Sequence, residues 1–150
     1  MDKRCRFFII FVCGPYNPIF TMDNGPPIID IVLPTYRMEP EEHERFYPSR
    51  AKAIAEKIMA EELNGQVYDE EDAKIWSLNI SDKVRLAVST HIPNSRFKVV
   101  VQTILGQVKD QGIRVASRCL WDPSTDNYAS ASFTNQTMFC NVLVFCLYTD

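Results

Sequence analysis

The chain is poor in the residues that reaction chemistry needs. It has two histidines, His43 and His91, and neither lies in a recognisable nucleophile motif. His91 ends a helical stretch, where an imidazole is favourable at the negative end without any catalytic duty. There is no Cys-x-x-Cys and no His-x-x-x-His, which argues against a zinc site. Only five glycines occur, and none form a phosphate-binding fingerprint. The carboxylates fall on helix surfaces and in turns, where solvation accounts for them. A net charge of −3 offers no basic excess for nucleic acid. No apolar run is long enough to cross a bilayer. The sequence therefore points to no catalytic residue, cofactor, metal, nucleic acid or membrane.

Regular disulfide spacing is also missing. The five cysteines are an odd number without a pattern, so a disulfide framework is not expected. Cys140 and Cys146 share one face of the last strand but lie about 20 Å apart at the usual rise per residue, too far to bridge. They read as small buried apolar residues in a reducing compartment. Met1 to Arg6 followed by the apolar run Phe7 to Cys13 has the look of a secretory leader. The run is at the short limit for one, however, and no small-x-small site follows.

At 150 residues the chain suits a single domain. Residues 1–33 read as a flexible N-terminal extension: Gly14 to Pro34 is dense in Pro, Asn and Gly, although Ile28 to Leu33 is β-prone enough for an edge strand. The acidic patch Glu41, Glu42 and Glu44 reads as a solvated lead-in to a helix.

That first helix is expected from Pro48-Ser49, with proline in the first turn. Ala51, Ile54, Ala55, Ile58, Met59 and Leu63 keep the helical period, and Asn64-Gly65 stops it. A second helix starts after Asp69 with Glu70, Glu71 and Asp72 at its positive end. Its main stripe is Ala73, Trp76, Ile80, Val84 and Ala87. Ile75, Leu78 and Leu86 lie off that stripe, which suggests a helix covered on two sides.

Four strands follow. Phe97, Val99, Val101, Thr103 and Leu105 share one face of the first. Ile113, Val115, Ser117, Cys119 and Trp121 share one face of the second, opposite Arg114, Ala116, Arg118 and Leu120. Asp122 to Asn127 is turn chemistry. The third strand, Tyr128 to Thr134, is rich in small residues. After Asn135-Gln136-Thr137, the last strand, Met138 to Tyr148, is apolar on both faces, as a central or partner-covered strand is. The pattern is an α+β domain of two helices packed on a four-stranded antiparallel sheet. Arg114 and Arg118 suit either an anionic group or edge charges that deter aggregation. A sheet with one face under helices leaves its other face and its edge for another chain.

Val99-Val100-Val101-Gln102, Ser117-Arg118-Cys119-Leu120-Trp121-Asp122, Thr125-Asp126-Asn127-Tyr128 and Met138-Phe139-Cys140-Asn141-Val142 together resemble the Tctex-type dynein light chains. Thr35-Tyr36-Arg37-Met38-Glu39-Pro40, with Phe46, is similar to the second-type (Tctex-2-like) branch. The resemblance covers about Pro34 to Tyr148, making residues 34–150 the light chain domain. It implies a non-catalytic subunit that dimerises by strand exchange, through Gly112 to Trp121 by position. It also implies that dynein intermediate chain adds as a further strand. On this carry-over Ile113, Arg114, Val115, Ala116, Ser117, Arg118, Cys119 and Trp121 form the partner-binding and dimer strand. The dimer partner would be a second copy or another Tctex-type light chain. The setting implied is cytoplasm and cytoskeleton, commonly the axoneme of a cilium or flagellum. An adaptor of the same fold, serving cargo or signalling proteins without a motor, is the other reading.

Overall fold

A computed structural model describes residues 8–12, 37–92, 96–109 and 113–149. In chain order they form strand β1 (Phe8–Val12), a short 3-10 turn (Glu42–Glu44), helices α1 (Pro48–Leu63) and α2 (Glu70–His91), then strands β2 (Phe97–Gln107), β3 (Asn127–Thr134) and β4 (Met138–Tyr148). The expected edge strand Ile28 to Leu33 lies outside the described residues.

Both helices form where their end signals stand. Pro48 occupies the first turn of α1, and Gly65, at φ 77°, takes the left-handed conformation just past its end. The Asp69 carboxylate accepts the backbone N–H groups of Glu71 and Asp72 at 2.9 and 3.3 Å, capping α2. The acidic lead-in is spent on local ion pairs: Arg37 with Glu41 and Glu44, and Arg45 with Glu42.

The sheet is antiparallel, in the order β1-β2-β4-β3. Rows across it match small and branched residues, such as Val101–Val144–Ala129 and Thr103–Val142–Ala131. This face is the core. It is covered by Ala51, Ala55, Met59 and Leu63 of α1 and by Ala73, Ile80, Val84 and Val88 of α2. α1 lies over β3, where alanines on both elements allow a close approach, and α2 lies over β2 and β1. Polar contact enters the core at Ser81, whose hydroxyl meets that of Thr103 at 2.8 Å, tying α2 to β2, and also donates to the Ser77 carbonyl at 2.7 Å.

Three expected features are revised. Ile113–Trp121 is not a strand; it runs extended, outside any ladder, and the sheet's fourth member is β1. The segment leaves the end of β2 and must travel back to the start of β3. β4 already fills the place between those two parallel strands, so the segment cannot lie between the strands it connects, and it does not pair with the outer edge of β3 either. Second, α2 is buried along one side only: Ile75, Leu78 and Leu86 are exposed in the single chain. Third, Val88 rather than Ala87 is the buried residue at the end of its stripe.

Candidate partner-binding site

Away from the helices, β2, β4 and β3 present a second face with the rows Val100–Phe145–Tyr128 and Gln102–Leu143–Ser130. Trp121 settles on this face. Its ring centroid lies 6.0 Å from that of Tyr128 and 6.3 Å from that of Phe145, in tilted and edge-on arrangements. Immediately after it, the Asp122 carboxylate accepts the Ser124 hydroxyl at 2.7 Å and the Ser124 N–H at 2.9 Å. These bonds hold the Asp122 carboxyl below its ordinary pKa, the hydroxyl first. The support they give the turn is therefore complete above the ordinary carboxylate pKa and lost as pH falls through the lowered one. Asp126 completes the lock, its carboxylate accepting the Tyr148 N–H at 2.8 Å. Trp121 to Asp126 thus fastens the end of the extended segment to the start of β3 and the end of β4.

Upstream of that anchor the chain stands off. Ile113, Arg114, Ala116, Ser117, Arg118, Cys119 and Leu120 are exposed, and Val115 is half-buried. Leu120 is 96% exposed, the extreme among the large apolar residues described. Arg114 and Arg118 make no ion pair among the described residues, so nothing here assigns them an anion. Val115, Ala116 and Ser117 form one wall of a groove of about 540 Å³. Its other walls are Lys52 and Glu56 of α1 and the strip of β3 and β4 around Ser130 and Leu143. The structure thus gathers the expected site residues into three groups: a groove wall (Val115, Ala116, Ser117), an anchor (Trp121), and an exposed run (Ile113, Arg114, Arg118, Cys119). Gly112 lies outside the described residues. Lys52 and Glu56 escaped sequence reasoning, because their helix positions are those of any solvated face.

What this surface can do is bind rather than react. Burial pushes the thiols of Cys140 and Cys146 up to about 12, with Asp126 adding to the effect at Cys146. Neither can supply a thiolate near neutrality. His91 uses its Nδ1 on the Ala87 carbonyl at 2.7 Å, and His43 stands beside Glu41. Among the described residues no group of three His, Cys, Asp or Glu is placed to hold a metal. Asn135-Gln136-Thr137 and Asn79-Ile80-Ser81 match the N-glycosylation pattern, and both stand in formed structure. Asn135 donates its amide to the Gln66 carbonyl at 3.1 Å, and Ser81 is buried. A labelling experiment follows from the thiol placement. Brief alkylation of the native protein, mapped by mass spectrometry, should modify Cys119 and spare Cys140 and Cys146 until the chain is unfolded. Equal modification of all three in the native state would contradict the burial described.

Comparison with known proteins agrees in extent with the described domain. Residues 45–147 match the Tctex-1 family. The chain is 37% identical over 119 residues to human "Dynein light chain Tctex-type protein 2B", covering 76% of this chain and 80% of that protein. The protein of the same name from Danio rerio is 31% identical over 121 residues, 81% of this chain and 80% of its own length. Human "Dynein light chain Tctex-type 4" is 34% identical over 119 residues, 79% of this chain and 53% of that longer protein.

Proposed function

Since this chain belongs to the Tctex-1 family of dynein light chains, we propose that it joins a dynein motor by pairing strands with other chains. Its role is structural and not enzymatic. The observation that carries the proposal is the extended, largely exposed segment Ile113–Trp121, which has the alternation of a strand and no ladder among the described residues. Backbone N–H and C=O groups left in water are free to pair with another polypeptide, and side chains at alternate positions then select it. Ile113, Arg114, Val115, Ala116, Ser117, Arg118 and Cys119 form this strand, and Trp121 fixes where it ends. Exchange of the segment between two copies, or with another Tctex-type light chain, makes the dimer. An extended piece of dynein intermediate chain adds beside it. Association with the microtubule cytoskeleton follows from membership of such a motor, and the ciliary or flagellar axoneme is its setting.

The test is direct. The purified chain, alone and mixed with an intermediate-chain segment or a second Tctex-type light chain, is followed by light scattering and sedimentation. A dimer or a defined complex is expected. A chain that stays monomeric and binds neither partner overturns the proposal.

A further inference from the structure

The two outer strands of the three-stranded core sheet differ in character. β3 has the marks of an edge: burial alternates along it, and Ser130 and Ser132 sit on its open face. β2 does not. Its stretch Thr103 to Gly106 is buried on both faces, as in a strand built to have a neighbour on each side. An edge so long and so apolar recruits another strand. In this chain the neighbour is β1, which pairs with Val101 to Leu105 and stops short of Phe97 to Val100. A strand of 5 residues therefore stands on one of 11. At the same time Ile113–Trp121, long enough to follow most of β2, is left without a ladder. Two segments suit one seat.

We propose that β1 is an in-chain competitor for the edge of β2: Phe8–Val12 holds that edge in the lone chain and yields it to Ile113–Trp121 of a second copy. The inference rests on the dimerisation reading above. The tether gives β1 a high effective concentration at the edge. The incoming segment is longer and forms more ladder bonds, but it comes at the cost of association. Closed chains therefore prevail when dilute, and exchange prevails when chains are concentrated or held together by a shared partner. Phe8–Val12 lies outside the residues that match the family, so the competitor is an addition to the family domain.

Ile9→Pro and Ile10→Pro in the full chain test this. Adjacent amides of a strand point to opposite sides, so one variant removes a bond to β2 and the other a solvent-facing N–H. Phe11→Pro repeats the direction of Ile9, giving a second reading should Ile9→Pro fail to keep its helical circular dichroism. Two quantities are measured: hydrogen exchange of the Val101–Leu105 edge amides in dilute solution, and the dimer dissociation constant by sedimentation. The ladder-breaking variant is expected to lose edge protection and to dimerise at least about tenfold more tightly, while the other matches the parent chain. Lost protection with an unchanged dissociation constant overturns the competition. Protection unchanged in every variant overturns the seat of β1. Should one variant lose protection while no chain, parent included, dimerises, the dimerisation reading has failed and the competition falls with it.

Discussion

Val115→Pro should abolish dimerisation at micromolar concentration while leaving the fold of the lone chain nearly as stable as before. The two halves of this expectation have different causes. Within the chain Val115 stands in an extended segment without a ladder, so proline removes no bond there. Val115 has a negative φ, on the side of the map that proline requires, and an irregular segment outside any helix is where the residue before a proline is most easily accommodated. The stability change is therefore expected to stay within about 1 kcal/mol. In an exchanged strand the same substitution deletes a ladder donor and crowds the neighbouring strand. Each copy of a symmetric dimer carries the defect, so it counts twice. At about 1–3 kcal/mol for each buried group left unpaired, the total is about 2–6 kcal/mol, or roughly 30-fold to 20,000-fold in dissociation constant. Because neighbouring amides face opposite sides, Ala116→Pro is the companion variant. Sedimentation equilibrium measures both, with urea unfolding as the control for the fold. If both variants dimerise as the parent does, Ile113–Trp121 is not the exchanged strand.

Local chemistry made most of the fold legible in advance, and pairing made the rest obscure. Pro48, Gly65, Asp69 and the heptad-like apolar spacing each act within a few residues, so α1 and α2 could be read to their ends. The faces of β2 and β3 followed from alternation, whereas β4, apolar on both faces, was legible as a strand without its core face being marked. Alternation says that a segment is fit to be a strand and says nothing of what it pairs with. Ile113–Trp121 has that pattern, yet its connection from the end of β2 to the start of β3 finds the intervening place taken by β4. β1 shows the converse. The run Phe7 to Cys13 is too short and too uniformly apolar for its period to separate strand from leader. Its place depends on an edge that lies more than eighty residues away in the chain. Exposed Ile75, Leu78 and Leu86 belong to the same class: the sequence marks them as wanting a cover, and the described residues supply none.

Two leucines in the same chain should respond to alanine in opposite ways, and the contrast separates what holds the domain from what joins domains. Leu105, on β2, is fully buried against the helical layer and lies opposite Cys140 of β4. Leu105→Ala removes its buried methyl groups and leaves a cavity that a sheet pinned on both sides closes poorly. A loss of about 2–5 kcal/mol of stability is expected, a large share of the about 5–15 kcal/mol typical of a whole domain. Leu120, at 96% exposure, touches almost nothing in the lone chain. Leu120→Ala should therefore change urea unfolding of the monomer by no more than about 0.5 kcal/mol. Its effect belongs to assembly, because an apolar side chain of this size left wholly in water one residue before the Trp121 anchor gains most when a second chain covers it. Urea titrations at a concentration where the chain is monomeric, paired with sedimentation of the same samples at higher concentration, measure both quantities. A Leu120→Ala variant that unfolds as easily as Leu105→Ala would mean that the segment packs within its own chain. One that dimerises as tightly as the parent would place Leu120 outside the dimer contact, with Val115, Ala116 and Ser117 left to carry it.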